Sequence, residues 1–83
     1  MGLSEERDRG SKALQILKEP LFAEALNTIR SNYFDAWRNS NSADSKEREH
    51  YWYLFNAVDE FEGHLTNVLK TGEMAEKQIF NQN

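Results

Sequence analysis

The chain has 83 residues, a net charge of −4 and no cysteine. Disulfides and thiolate metal sites are therefore excluded, and the length allows one small domain. A single core of this size supplies only about 3–5 kcal/mol, which leaves oligomerisation as the expected staple.

The N-terminal stretch MGLSEERDRGSKALQ is too charged for a signal peptide. No apolar run approaches the roughly 20 residues that a membrane helix needs. Gly2 is present, but Glu6 stands where a myristoylation motif has Ser or Thr. A soluble chain is expected, and the lack of cysteine fits the cytosol.

Taken in chain order, the apolar residues follow a helical period, and no segment alternates like a half-buried strand. An all-α fold is expected. The first helix runs from Ser4 to Lys18, with Glu5, Glu6 and Asp8 suited to its positive end. Its apolar residues, Ala13, Leu14, Ile16 and Leu17, all fall in its last part. The front half is expected to fray or to lie on a partner. Pro20, the only proline, ends this helix and starts the next, because proline suits a first turn and disfavours helix in the residue before it.

The second helix spans Pro20 to Arg38, with Phe22, Leu26, Ile29, Tyr33 and Trp37 on one stripe. The polar stretch NSNSADS at 39–45 is a loop by composition, and Asp44 or Ser45 is the N-cap of a third helix. That helix is expected over 45–71, with Tyr51, Leu54, Phe55, Val58, Phe61, Leu65, Val68 and Leu69 as its stripe. Gly72 fits a C′ stop, and a short fourth helix is expected over 73–80.

The short loop makes the second and third helices antiparallel neighbours. Counting outward from it pairs Trp37 with Tyr51, Tyr33 with Phe55, Ile29 with Val58, Leu26 with Phe61 or Glu62, and Phe22 with Leu65. The expected architecture is a long helical hairpin with short terminal helices, completed into a bundle by association.

Three aromatic residues fall outside these stripes. At about 100° per residue, Trp52 and Tyr53 lie off the third helix's apolar face, and Phe34 lies off the second's. All three are close to the hairpin loop. Exposed aromatics of this size mark contacts, so Phe34, Trp52 and Tyr53 are expected to be covered by another chain or by the terminal helices. Gly63 costs about 1 kcal/mol inside a helix relative to alanine, and it lies on the Trp52 side. A helix crossing closely there would explain both residues.

A base-stacking platform would interleave the aromatics with Arg or Lys. Here their neighbours are mixed: Asp35, Arg38, Arg48, Glu49, Asn56 and Asp59. Residues 1–20 balance four acids with four bases, and residues 46–83 hold seven acids and four bases. Phosphate binding needs a basic face, which only Arg7, Arg9 and Lys12 can offer. As a monomer the chain is a poor nucleic-acid binder.

Glu47 and His50 have the E-x-x-H spacing of di-iron bundles, but no inward carboxylate faces them and they sit in the wet first turn. Glu60 and His64 form an ordinary i,i+4 pair on the polar face. No nucleophile with a base, and no phosphate-cradling glycine loop, is present. No enzyme activity, metal or cofactor is expected.

Three segments, EPLFAEALNTI, AWRNSNSADSKEREHYW and GHLTNVLKTGEMAEKQ, together resemble a family of short helical proteins from tailed-phage genomes. The shared pieces are Pro20-Leu21-Phe22 with Glu24-Ala25, Ala36-Trp37, Arg48-Glu49, His64-Leu65, and Gly72 with Ala75-Glu76. The match covers most of residues 11–79. It implies a phage protein encoded near packaging and head genes, active in the host cytoplasm or with the virion, and it brings no catalytic residue. The leading expectation is a non-enzymatic accessory of virion assembly or DNA packaging, which meets itself or a larger phage protein. The alternatives are a small-terminase-like DNA-recognition subunit and a small protein that inhibits a host factor.

Overall fold

The computed structural model of the protein describes residues 2–81, which form three helices: α1 (Leu3–Lys18), α2 (Pro20–Asn39) and α3 (Ser45–Asn81). No strand occurs among the described residues. The first helix boundary is set by one residue. Glu19 is extended, and its carboxylate accepts a 2.7 Å hydrogen bond from the Phe22 backbone N–H, so it caps α2 while Pro20 occupies the first turn. Removing this cap with Glu19→Ala is expected to lower unfolding stability by about 1 kcal/mol, read by urea denaturation.

The loop between α2 and α3 resolves the choice of cap in favour of Asp44. Its side chain accepts from the Glu47 N–H at 3.1 Å, and its carbonyl accepts the Arg48 N–H at 3.2 Å. The loop is closed at its other end by Ser40, whose hydroxyl donates to the Trp37 carbonyl at 2.6 Å.

α2 runs back along the N-terminal half of α3, as the pairing count requires. Phe22 lies 6.3 Å from Phe61 between ring centroids, and Phe34 lies 5.7 Å from Phe55. Arg30 meets Asp59 and Glu62 between these two layers. Near the loop, the Arg48 guanidinium stacks 4.9 Å from the centre of the Trp37 ring. Three contacts lie outside the expected pairs: Phe22 reaches Phe61, Phe34 packs on Phe55, and Arg48 covers Trp37.

The expectations for Gly72 and for a separate fourth helix over 73–80 are wrong. α3 continues without a break to Asn81, and no glycine among the described residues has a positive φ, the conformation a helix stop would need. Gly72 is there for a different reason. A Cβ added to it would fall 2.7 Å from the Gly10 Cα and 2.9 Å from the Glu6 carbonyl oxygen. A Cβ on Gly10 would fall 2.7 Å from the Gly72 Cα. The two backbones are in direct contact.

This contact also corrects the expectation for α1. Its front half neither frays nor awaits a partner: it is helical from Leu3 and packs on the C-terminal half of α3, its principal neighbour. Gly10, Ala13, Gly72 and Ala75 are the buried residues of this pair. Small side chains at i and i+3 on each helix bring the axes close, so α1 is held by backbone proximity with little large apolar burial.

The 37 residues of α3 thus form a spine, with α2 on one half and α1 on the other. The molecule is correspondingly elongated, 61 × 24 × 16 Å.

Candidate functional site

Among the described residues the buried apolar side chains are Ala13, Leu26 and Ala75, so Leu26 alone of these is larger than alanine. The remaining large apolar groups are distributed over two surfaces of the α2–α3 hairpin and over its ends.

The first surface is an open groove of about 360 Å³ lined by Phe22, Ala25, Leu26, Ile29, Tyr33, Leu54, Ala57, Val58 and Phe61. Phe22, Leu26, Ile29 and Tyr33 of one stripe and Leu54, Val58 and Phe61 of the other share this groove, whereas Trp37 and Phe55 line the flank. None of the lining residues carries a charge. Ile29 is 44% exposed and Phe61 56%. The interhelical seam is displaced to the flank, where Arg30 donates to Asp59 at 2.8 Å and to Glu62 at 2.6 Å. The Arg30 guanidinium is held in its charged form chiefly by the hydrogen bond to Asp59, with Glu62 adding to it against some loss of hydration. Arg30 also donates to the Asn27 amide oxygen at 3.0 Å. One face of the hairpin is therefore closed by ion pairs, and the other is left apolar and open.

The second surface lies on the flank near the loop. Phe34, Trp37, Trp52 and Phe55 line a cavity of about 150 Å³. Phe34 sits 5.9 Å from Trp37, and Trp52 sits edge-on to Tyr53 at 6.4 Å. Phe34 is 41% exposed, Trp52 54% and Tyr53 69%, so neither terminal helix covers them. The structure thus brings Phe34 and Trp52 together and extends them through Tyr53. Phe34 also has an intramolecular role against Phe55, which its position off the α2 stripe did not disclose.

Within the chain, Gly63 is not a crossing point for α1 or α2. A Cβ built on it meets nothing within 4 Å. The close crossing lies nine residues further on, at Gly72. A signal for it was in the sequence: Gly10 and Ala13 repeat the spacing of Gly72 and Ala75.

The candidate phosphate-binding residues are placed among acids. Arg7 lies 3.4 Å from Asp8 and lines a groove with Asp8, Glu73 and Glu76. Arg9 lines another with Glu6 and His64. Lys12 is exposed on α1. Glu47 and His50 are exposed in the first turns of α3, and His50 packs beside Tyr51 at 5.5 Å. Among the described residues, no group of three His, Asp or Glu side chains is arranged to hold a metal ion, and no helix is long and apolar enough to cross a membrane.

No family model, curated protein or solved structure matches the chain.

Proposed function

We propose that this chain is a non-enzymatic protein-binding component, an accessory of phage virion assembly or DNA packaging that works through protein–protein contacts. The observation that carries the binding role is the inversion of its apolar residues. Ile16, Leu21, Ile29, Phe34, Trp52, Tyr53, Phe61, Met74 and Phe80 are each more than two-fifths exposed, while little beyond alanine is buried. Exposed apolar groups of this number, gathered in part on the α2–α3 groove and on the Phe34–Trp52 flank, are costly in water unless another protein covers them. The phage setting is supported by the family resemblance of residues 11–79.

The Phe34–Trp52–Tyr53 surface is the contact for the larger partner. Phe34, Trp37, Trp52 and Phe55 lining one cavity, with Arg48 stacked on Trp37, have the composition of an aromatic interface centre with a charged edge. The DNA-recognition alternative gains no support from Arg7 and Arg9, whose grooves also hold carboxylates.

Affinity capture of the tagged chain from infected cells tests the reading. Portal, capsid, terminase or tail proteins are expected, and the double variant Trp52→Ala/Tyr53→Ala is expected to lose at least about tenfold of the captured partner, since hot-spot aromatics contribute 2 kcal/mol or more. Recovery of a host enzyme in their place would favour the inhibitor alternative. Capture unchanged by the double variant would remove this surface from the site.

A further inference from the structure

We propose that the uncharged groove between α2 and α3 is filled by the same groove of a second copy, so that two hairpins form a two-fold symmetric four-helix bundle. This names the occupant of one apolar surface and rests on the reading that the chain works through protein contacts.

Surface area decides the size of what is missing. The chain exposes 6390 Å² at a mass of 9.7 kDa. A compact folded monomer of that mass exposes about 5,100 Å². The excess, about 1,300 Å², exceeds the roughly 800 Å² each partner contributes to a standard interface and falls in the range of obligate dimers. The chain carries one dimer interface too much surface.

The groove is the part of the surface whose chemistry suits self-association. Its lining is apolar from end to end apart from the Tyr33 hydroxyl, and it is flanked on the closed side by the Arg30 ion pairs. A charged partner would find no countercharge there, whereas an identical apolar face satisfies the requirement that an isologous interface be self-complementary. Two antiparallel helices with a shared apolar face are also half of a four-helix bundle.

Internal stability points to the same occupant. With Leu26 the one large buried side chain among the described residues, a lone hairpin has little to set against its conformational entropy. A partner that the fold needs must be present whenever the chain is made. The chain's own copy meets that condition.

The test uses purified full-length protein and no phage component, so its failure is separate from a failed capture. Sedimentation equilibrium at 1–100 μM on the order-of-magnitude scale of cellular proteins is expected to give twice 9.7 kDa. The thermal midpoint is expected to rise with protein concentration, as for any fold linked to association. Ile29→Glu and Phe61→Glu alter side chains that a monomer leaves about half exposed, yet each places two buried charges in the proposed interface. Each is expected to weaken the dimer by at least about a hundredfold. Trp52→Glu, on the other surface, is expected to leave the mass unchanged. A folded monomer with a concentration-independent midpoint overturns the proposal. So does a dimer that withstands both groove variants, or one that is lost on Trp52→Glu. Should the groove variants unfold, the mass and midpoint of the unaltered chain and of the Trp52→Glu control still decide.

Discussion

Gly72→Ala is expected to destabilise the protein, and Gly63→Ala to stabilise it, although both replace glycine by alanine inside the same helix. At Gly63 the added methyl meets nothing within 4 Å, so the change only narrows the unfolded ensemble and improves helix propensity. The gain is about 0.5–1 kcal/mol. At Gly72 the same gain is opposed by a Cβ placed 2.7 Å from the Gly10 Cα, a backbone atom that no rotamer change can move aside. The helices must separate, which strips Ala13 and Ala75 of their contacts along the pair. Overpacking of this kind costs about 1–3 kcal/mol, so a net loss of about 1–2 kcal/mol is expected. Gly72→Val adds bulk and loses helix propensity, and its loss should be larger. Urea denaturation followed by helical circular dichroism, with all variants at one protein concentration, measures each difference. A stabilising Gly72→Ala would mean that α1 and α3 do not meet at their backbones.

That pair of glycines also marks where the sequence stops being readable. A glycine after an apolar stripe, with Lys70 just before it, has the same local signature whether it ends a helix or lets another helix approach. The two cases differ only in what lies opposite, and Gly10 is 62 positions away in the chain. Pro20 posed no such ambiguity, because its missing N–H and fixed φ act within one turn, and α2 begins there as expected. The antiparallel direction of the α2–α3 pairing was likewise legible, since a short loop leaves one direction of return, but the Phe22–Phe61 and Phe34–Phe55 contacts were not among the counted layers.

The flank of that hairpin was not legible. Period alone identifies an apolar stripe but not whether it faces the neighbouring helix or the open side. Arg30 and Phe34 lie about 80° and 120° from Phe22 around α2 by the 100° rule, and both reach across to α3. Their contacts with Asp59, Glu62 and Phe55 rotate the helices so that Ile29 and Phe61 face outward. An oligomeric requirement could be expected from length and the absence of cysteine. Which face it falls on depends on this rotation, and the rotation depends on side-chain reach across the seam.

Leu26→Ala is expected to be among the most damaging truncations in the hairpin, and Leu21→Ala among the mildest, although the two leucines are five residues apart on the same helix. Leu26 is 8% exposed and, among the described residues, is the one buried side chain larger than alanine. Removing three carbons there loses both their transfer free energy and the packing around the gap, about 2–5 kcal/mol for a buried leucine. A domain of this size holds only about 3–5 kcal/mol in total, so the variant should be substantially unfolded at low protein concentration and recover helix as concentration rises. Leu21 is 69% exposed and is absent from the groove lining. Its truncation should stay within about 0.5 kcal/mol of the parent, as surface changes usually do. Thermal melts of both variants at low and high concentration separate the two contributions. Equal losses for the two leucines would place Leu21 in a contact of its own. A negligible loss for Leu26 would mean that the hairpin seam is held by Arg30 and the Phe34–Phe55 pair without it.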